Sequence, residues 1–258
     1  MNNVFSKLKN LSKGGYGAGN YIKRWPTNPK VAFFGPPNVY MDEFAQRLAI
    51  DLGVPIVSVP QLMDNCANKQ GDNPDFQHPF FDKVGEMVRA GDKEALIAEK
   101  IPIKLLRLTP AAQEGMIMVD FPYEIDEAEL LEEYRGGLNA FVHLSLPDEV
   151  LVDIEETKVY CPDSDKYYYK NDVVSEEHGV RINAFMPEDG FCYASGSTNF
   201  VPGSDPVRFE RELEIYSQKK DALLSFYNDL GLLVDFEPRR GYEDYDKLKR
   251  QIQYMIKH

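Results

Sequence analysis

Residues 31–62, VAFFGPPNVYMDEFAQRLAIDLGVPIVSVPQL, have the spacing of a segment that handles phosphates. An apolar strand (Val31–Phe34) leads into a turn at Gly35-Pro36-Pro37. A helix over about Asp42–Leu52 and a second apolar strand, Val54–Val59, are expected to follow. Strand, glycine turn and helix N-terminus together aim backbone N–H groups at an anion. Phosphoryl transfer on such a loop also needs a lysine for the β- and γ-phosphates and a hydroxyl for Mg²⁺. The positions after the turn hold Asn38, Val39, Tyr40, Met41, Asp42 and Glu43 instead. Transfer relies on clamping a charge-rich transition state with cations, and losing one such group costs on the order of a few kcal/mol. The frame therefore points to phosphate chemistry and its residues point away from it. Asp42 and Glu43 are expected to cap the helix where an anion would sit.

The elements around this loop alternate. Gly115–Asp120, Ala140–Leu146 and Gly231–Phe236 read as buried strands. Phe80–Ala90, Glu94–Leu108, Glu124–Tyr134, Asp148–Glu155, Arg208–Asp229 and Tyr242–Ile256 read as helices. That alternation predicts an α/β fold, a five-stranded parallel sheet with helices on both faces. Residues 157–206 break it, being rich in Tyr, Asp, Gly and Pro, and read as an insertion on the rim. The chain has 258 residues, 43% hydrophobic, enough to bury a sizeable core. A net charge of −13 argues against a general nucleic-acid binder, and no apolar run is long enough to span a membrane. Residues 1–41 nevertheless hold six basic residues and no acid, whereas the other 217 carry 23 basic and 42 acidic.

Five collinear blocks resemble the adenylate kinases and related nucleoside monophosphate kinases across about residues 30–256. GPPNVYMDEFAQRLA is similar to that family's phosphate loop, GPPGSGKGTQAxxLA. VPIVSVPQLM resembles the entry to its monophosphate-binding helices, and MIMVDFPYEIDEAELL its LLDGFPRT segment. LPDEVLVDIEETKVYCPDSDKYYY resembles the entry to its lid, and VRFERELEIYSQKKDALLSFYNDLGLLVDF its late helix and last strand. The resemblance implies a kinase-like domain at 31–258, and the charge distribution sets a basic arm at 1–30 before it. Within the domain it implies monophosphate-binding-like helices at about 60–108 and a lid at about 157–206. It also locates the departures. Gly35, Asn38, Met41, Asp42 and Glu43 mark a vestigial loop, and the family's clamping arginines fall on Asp64, Tyr123 and Ile154. Lys158 alone stays basic at the lid entry, and Arg208 and Arg211 lie close to the late-helix positions.

Some relatives bind zinc in the lid through paired C-x₂-C turns. Here the turns read Cys161-x₂-Ser164 and Cys192-x₂-Ser195, half the ligands a structural zinc needs. The expectation is two ordinary thiols and no metal, with zinc or a Cys161–Cys192 disulfide as alternatives. His143 reads as structural. No nucleotide cofactor is expected, and the chain reads as a non-enzyme: a catalytically degenerate, accessory structural subunit of a large protein assembly. Tyr16, Tyr21 and Trp25 of the arm would anchor it on a partner. The acid-free arm suggests mitochondria and a respiratory-chain or ATP-synthase complex. An axonemal protein, a nucleotide sensor and an active kinase with an unusual loop are the alternatives.

Overall fold

The computed structural model describes residues 29–69, 78–109, 112, 115–119, 121–133, 137–187 and 189–257. In chain order, β1 (Lys30–Phe34) leads through the loop to α1 (Met41–Leu52), then α2 (Val59–Asn68), α3 (Pro79–Ala90), α4 (Lys93–Ala98) and α5 (Ile101–Leu108). Next come β2 (Met116–Met118), α6 (Ile125–Glu132), β3 (Ala140–Leu144) and α7 (Asp148–Glu156). The rim insertion contributes β4 (Lys158–Cys161), β5 (Lys166–Tyr169), β6 (Val173–Ser175), β7 (Val180–Ile182) and β8 (Val201–Pro202). The chain returns through α8 (Pro206–Asp229) and β9 (Leu233–Phe236), then a 3₁₀ turn (Gly241–Asp244) and α9 (Tyr245–Lys257).

The main sheet is parallel, in the order β2-β1-β3-β9. Val31 pairs with Ile117 on one side and Ala140 on the other, and Val142 pairs with Val234. Side chains alternate between its two faces. Val31, Phe33, Val142 and Leu144 pack with Phe44 and Leu48 of α1, Val150 and Ile154 of α7, and Leu248 and Ile252 of α9. Ala32, Phe34, Met116, Met118 and Phe141 face Ile103 and Leu106 of α5, Leu131 of α6, and Leu223 and Tyr227 of α8. Helices therefore cover both faces, which is why the strands read as continuous apolar runs.

Among the described residues the sheet has four strands rather than five. Val54–Val59 contributes a single bridge, Ile56 to Ile117. Val57 N–H reaches Ile117 O at 2.8 Å and Ile117 N–H reaches Pro55 O at 2.9 Å. The ladder stops there because Pro55 lacks an N–H and Ser58 already caps α2, its hydroxyl accepting from Gln61 N at 3.2 Å. The helix expected over Glu94–Leu108 is two helices. Lys100 sits left-handed between them (φ 54), and Pro102 opens the second. Lys30, counted with the arm in sequence, is the first residue of β1 and only 2% exposed; its ammonium donates to Gly137 O at 3.1 Å.

Candidate functional site

The loop after β1 runs from Gly35 to Tyr40, where α1 begins. Gly35 is required by close approach: a Cβ there would lie 2.8 Å from Leu144 O and 2.9 Å from Val39. Asn38 and Tyr40 both adopt left-handed conformations (φ 66 and 61), which cost a non-glycine residue strain. Packing holds Tyr40 in place: its ring is buried and lies 4.9 Å from the Tyr169 ring of β5. Burial, and then the charge of Glu43, push its phenol well above the usual range.

Of the two carboxylates expected to cap α1, Glu43 accepts a first-turn N–H, its own. The cap position belongs to Tyr40, and no side chain bonds to the helix N-terminus from it. A phenol committed to the core has no acceptor to turn back. Asp42 is exposed, while Glu43 is half-buried. Burial raises the Glu43 pKa and the neighbouring Asp42 adds to the rise, against the pull of its own N–H, Lys166 and Lys158. The helix end thus remains an electropositive feature edged by two carboxylates.

Above the loop lies a cavity of about 840 Å³. Its lining includes Gly35, Met41, Glu43, Lys158, Lys166 and Arg208. Met41 is partly buried and packs against the core edge. Three cations reach the cavity, but two are engaged. Arg208 Nε donates to Glu212 at 2.7 Å, and Lys158 Nζ donates to Glu155 Oε2 at 3.1 Å and to Asn38 Oδ1 at 3.0 Å. Asn38 Nδ2 donates to the same Glu155 oxygen at 2.8 Å, and Asp205 N–H donates to Oε1 at 2.7 Å. Glu155, 3% exposed, is the hub joining loop, lid entry and the start of α8.

The structure does not bring the three clamp positions together. Tyr123 lines the cavity, edge-on to Phe34 with centroids 5.5 Å apart and with Lys219 Nζ 5.1 Å from its ring. Asp64 is exposed on α2 and outside the lining. Ile154 is fully buried among Val150 and Leu151, and its neighbour Glu155 turns toward the loop. Sequence reasoning missed Glu155; the available signal was its i,i+3 spacing to Lys158 on a helix end. Tyr16, Tyr21 and Trp25 lie outside the described residues.

The lid joins the body through its apolar side. Tyr169, Val173, Val180 and Ile182 belong to the cluster that holds Val39 and Tyr40. Arg181 N–H reaches Arg239 O at 2.8 Å, and Asn183 donates to Glu243 at 2.6 Å. His143 is a buried linker, its Nδ1 2.8 Å from Asp235 and its Nε2 2.6 Å from the Tyr216 hydroxyl. Among the described residues no three His, Cys, Asp or Glu side chains gather to hold a metal, and no helix is long and apolar enough to cross a membrane.

No protein-family model matches the chain. It is similar to an adenylate kinase of Solanum tuberosum, 27% identical over 84% of this chain and 74% of that protein. An adenylate kinase of Archaeoglobus fulgidus is 23% identical over 88% of this chain and 97% of its own length. Adenylate kinase 1, chloroplastic, of Arabidopsis thaliana is 26% identical over 81% and 72%. These relatives correct the expectation that the chain is not an enzyme: adenylate kinases are enzymes, and altered loop residues alone do not set an aligned chain outside an enzyme family.

Proposed function

From the premise that this chain is a distant member of the adenylate kinase and nucleoside monophosphate kinase family, we propose that its work is to join a larger protein assembly as an accessory subunit. The observation that carries this reading is the union of lid and loop. In a working kinase the lid opens and closes in each cycle. Here opening would expose Tyr40 and Tyr169 and pull Tyr169, Val173, Val180 and Ile182 out of the cluster that holds Val39 and Tyr40. A lid held in this way presents a constant surface, and Tyr167 and Tyr193 are exposed on it. The assembly we favour is a mitochondrial respiratory-chain or ATP-synthase complex, from the basic, acid-free arm and the side chains Tyr16, Tyr21 and Trp25. A relative named as chloroplastic gives organellar placement a precedent. This role does not depend on whether the cleft turns over nucleotide.

Nucleoside monophosphate phosphotransfer is the second reading. The named relatives favour it, and so does the cavity, which keeps Lys158, Lys166 and Arg208 beside a helix N-terminus with no side-chain cap. Two measurements separate the readings. Sedimentation of gently lysed organelles should place the chain in a particle far larger than 29.5 kDa. Removing residues 1–27, which leaves Pro29 and β1 intact, should release it. A chain that sediments alone ends the accessory reading. A coupled ATP and AMP assay on the isolated protein, with Lys158→Ala as control, tests the other.

A further inference from the structure

The lid contains a second polar constellation, built from its two C-x₂-S turns. The pairing is crosswise. Cys161 Sγ lies 3.6 Å from Ser195 Oγ of the opposite turn, and Cys192 Sγ lies 3.0 Å from Ser164 Oγ of the first. The Ser195 hydroxyl also bonds to Cys192, so both sulfurs are within hydrogen-bond reach of one oxygen. Tyr168 closes the cluster, its hydroxyl 3.1 Å from Cys192 Sγ. Both thiols are free, at most 1% exposed, and share one small core with Tyr168. The turns themselves are fixed: Ser164 N–H bonds to Cys161 O at 3.3 Å, and Gly196 N–H to Cys192 O at 2.7 Å.

We propose that Cys161 and Cys192 are a two-electron redox pair that closes to a disulfide when the protein meets a hydroperoxide, stapling the two lid turns together. Cys192 is the attacking sulfur. Burial works against its ionisation, but bonds from Ser164, Ser195, Tyr168 and the Ser195 N–H outweigh it and bring the thiol down to about 5. Burial, then the bond to Cys192, pushes the Tyr168 phenol up to about 12, so it stays protonated and donating. A thiolate so surrounded is the reactive form of cysteine. It attacks the terminal peroxide oxygen: the S–O bond forms, the O–O bond breaks, and the leaving alkoxide (hydroxide from hydrogen peroxide) takes up a proton. Cys161 then attacks the sulfenic sulfur. The S–S bond forms, the S–O bond breaks, and the second oxygen leaves as water with the Cys161 proton. Two thiols and one hydroperoxide give one disulfide, one water and the alcohol (a second water for hydrogen peroxide). Access comes through the outer turn, whose Phe191 and Tyr193 are 52% and 69% exposed.

The test treats the full chain with hydrogen peroxide, then alkylates it in denaturant and counts labels by mass. Untreated protein should take three labels, matching its three cysteines. Oxidised protein should take a single label, on Cys66, with one peptide pair crosslinked through Cys161 and Cys192 and restored by dithiothreitol. Cys66→Ser should leave the crosslink intact. Cys161→Ser, oxidised with glutathione added, should instead carry one glutathione on Cys192, and Tyr168→Phe should slow the first step about tenfold by deleting a donor to the thiolate. Three labels after oxidation, a bond involving Cys66, or oxidation of Cys192 past sulfenic acid with Cys161 present would each overturn the proposal.

Discussion

Replacing Glu132 by Gln should remove most of an unusual dependence of stability on pH. Glu132 sits at the end of α6, 8% exposed. Its Oε1 accepts from Leu138 N–H at 3.3 Å, and the buried Tyr227 hydroxyl lies against it without a hydrogen bond of good geometry. Gly137 is required beside it, since a Cβ there would fall 1.8 Å from Oε2. Burial pushes the carboxyl up to about 8, against the pull of Leu138 N–H, Lys30 and Tyr227. In the unfolded chain the same group titrates near 4.5. Between these values the native state holds a proton that the unfolded state has lost, so stability falls as pH rises. The whole difference is worth about 5 kcal/mol, of which about 2 kcal/mol falls between pH 6 and pH 8. Urea unfolding of wild type should lose that amount across the interval, and thermal midpoints should drop by roughly 5 °C. Glu132→Gln keeps the acceptor and the shape but has no proton to lose, so its curve should be flat by comparison. Subtracting the two curves cancels every other titrating group. Parallel curves for wild type and variant would refute the burial argument.

His143 should act with the opposite sign. Burial lowers its pKa despite Asp235, so below pH 6.5 the unfolded chain takes up a proton first, and stability should fall on acidification. His143→Gln should lose that slope in urea titrations at pH 7 and pH 5. Glu155→Ala should cost about 3 kcal/mol, because Lys158, Asn38 and Asp205 N–H lose their shared acceptor; Glu155→Gln, which retains one, should cost clearly less by the same assay. Met41→Lys adds a cation to the cavity lining, and ATP titration should show about tenfold tighter binding than wild type. An unchanged dissociation constant would mean that position 41 does not address phosphates.

The fold was legible where apolar runs and turn chemistry agreed. The run Val31–Phe34 followed by Gly-Pro-Pro specified β1, all but its first residue, and the loop, and the spacing of Phe44, Ala45 and Leu48 specified the buried face of α1. It was less legible where one residue type overruled periodicity. Pro55 ended a strand that hydrophobicity alone extended, and Lys100 with Pro102 divided a helix whose pattern ran on. In the site, sequence showed which residue types were absent but not which contacts replaced them. The buried Glu155 lies one residue from the aligned Ile154, and a one-residue displacement on a helix turns a side chain by about 100°. Long-range pairs such as Lys30 with Gly137, or Cys192 with Ser164, depend on the tertiary fold and leave no local pattern.

Lys30 bears on how this molecule withstands tension. The segment before Pro29 feeds an interior strand, flanked by β2 and β3, whose first side chain is fastened to Gly137 O in the connection between α6 and β3. Traction applied to that segment would run along the strand axis and load two rows of parallel backbone hydrogen bonds together in shear, rather than unzipping them one at a time from a free edge. A tether joined at this point would grip the body by its most resistant line.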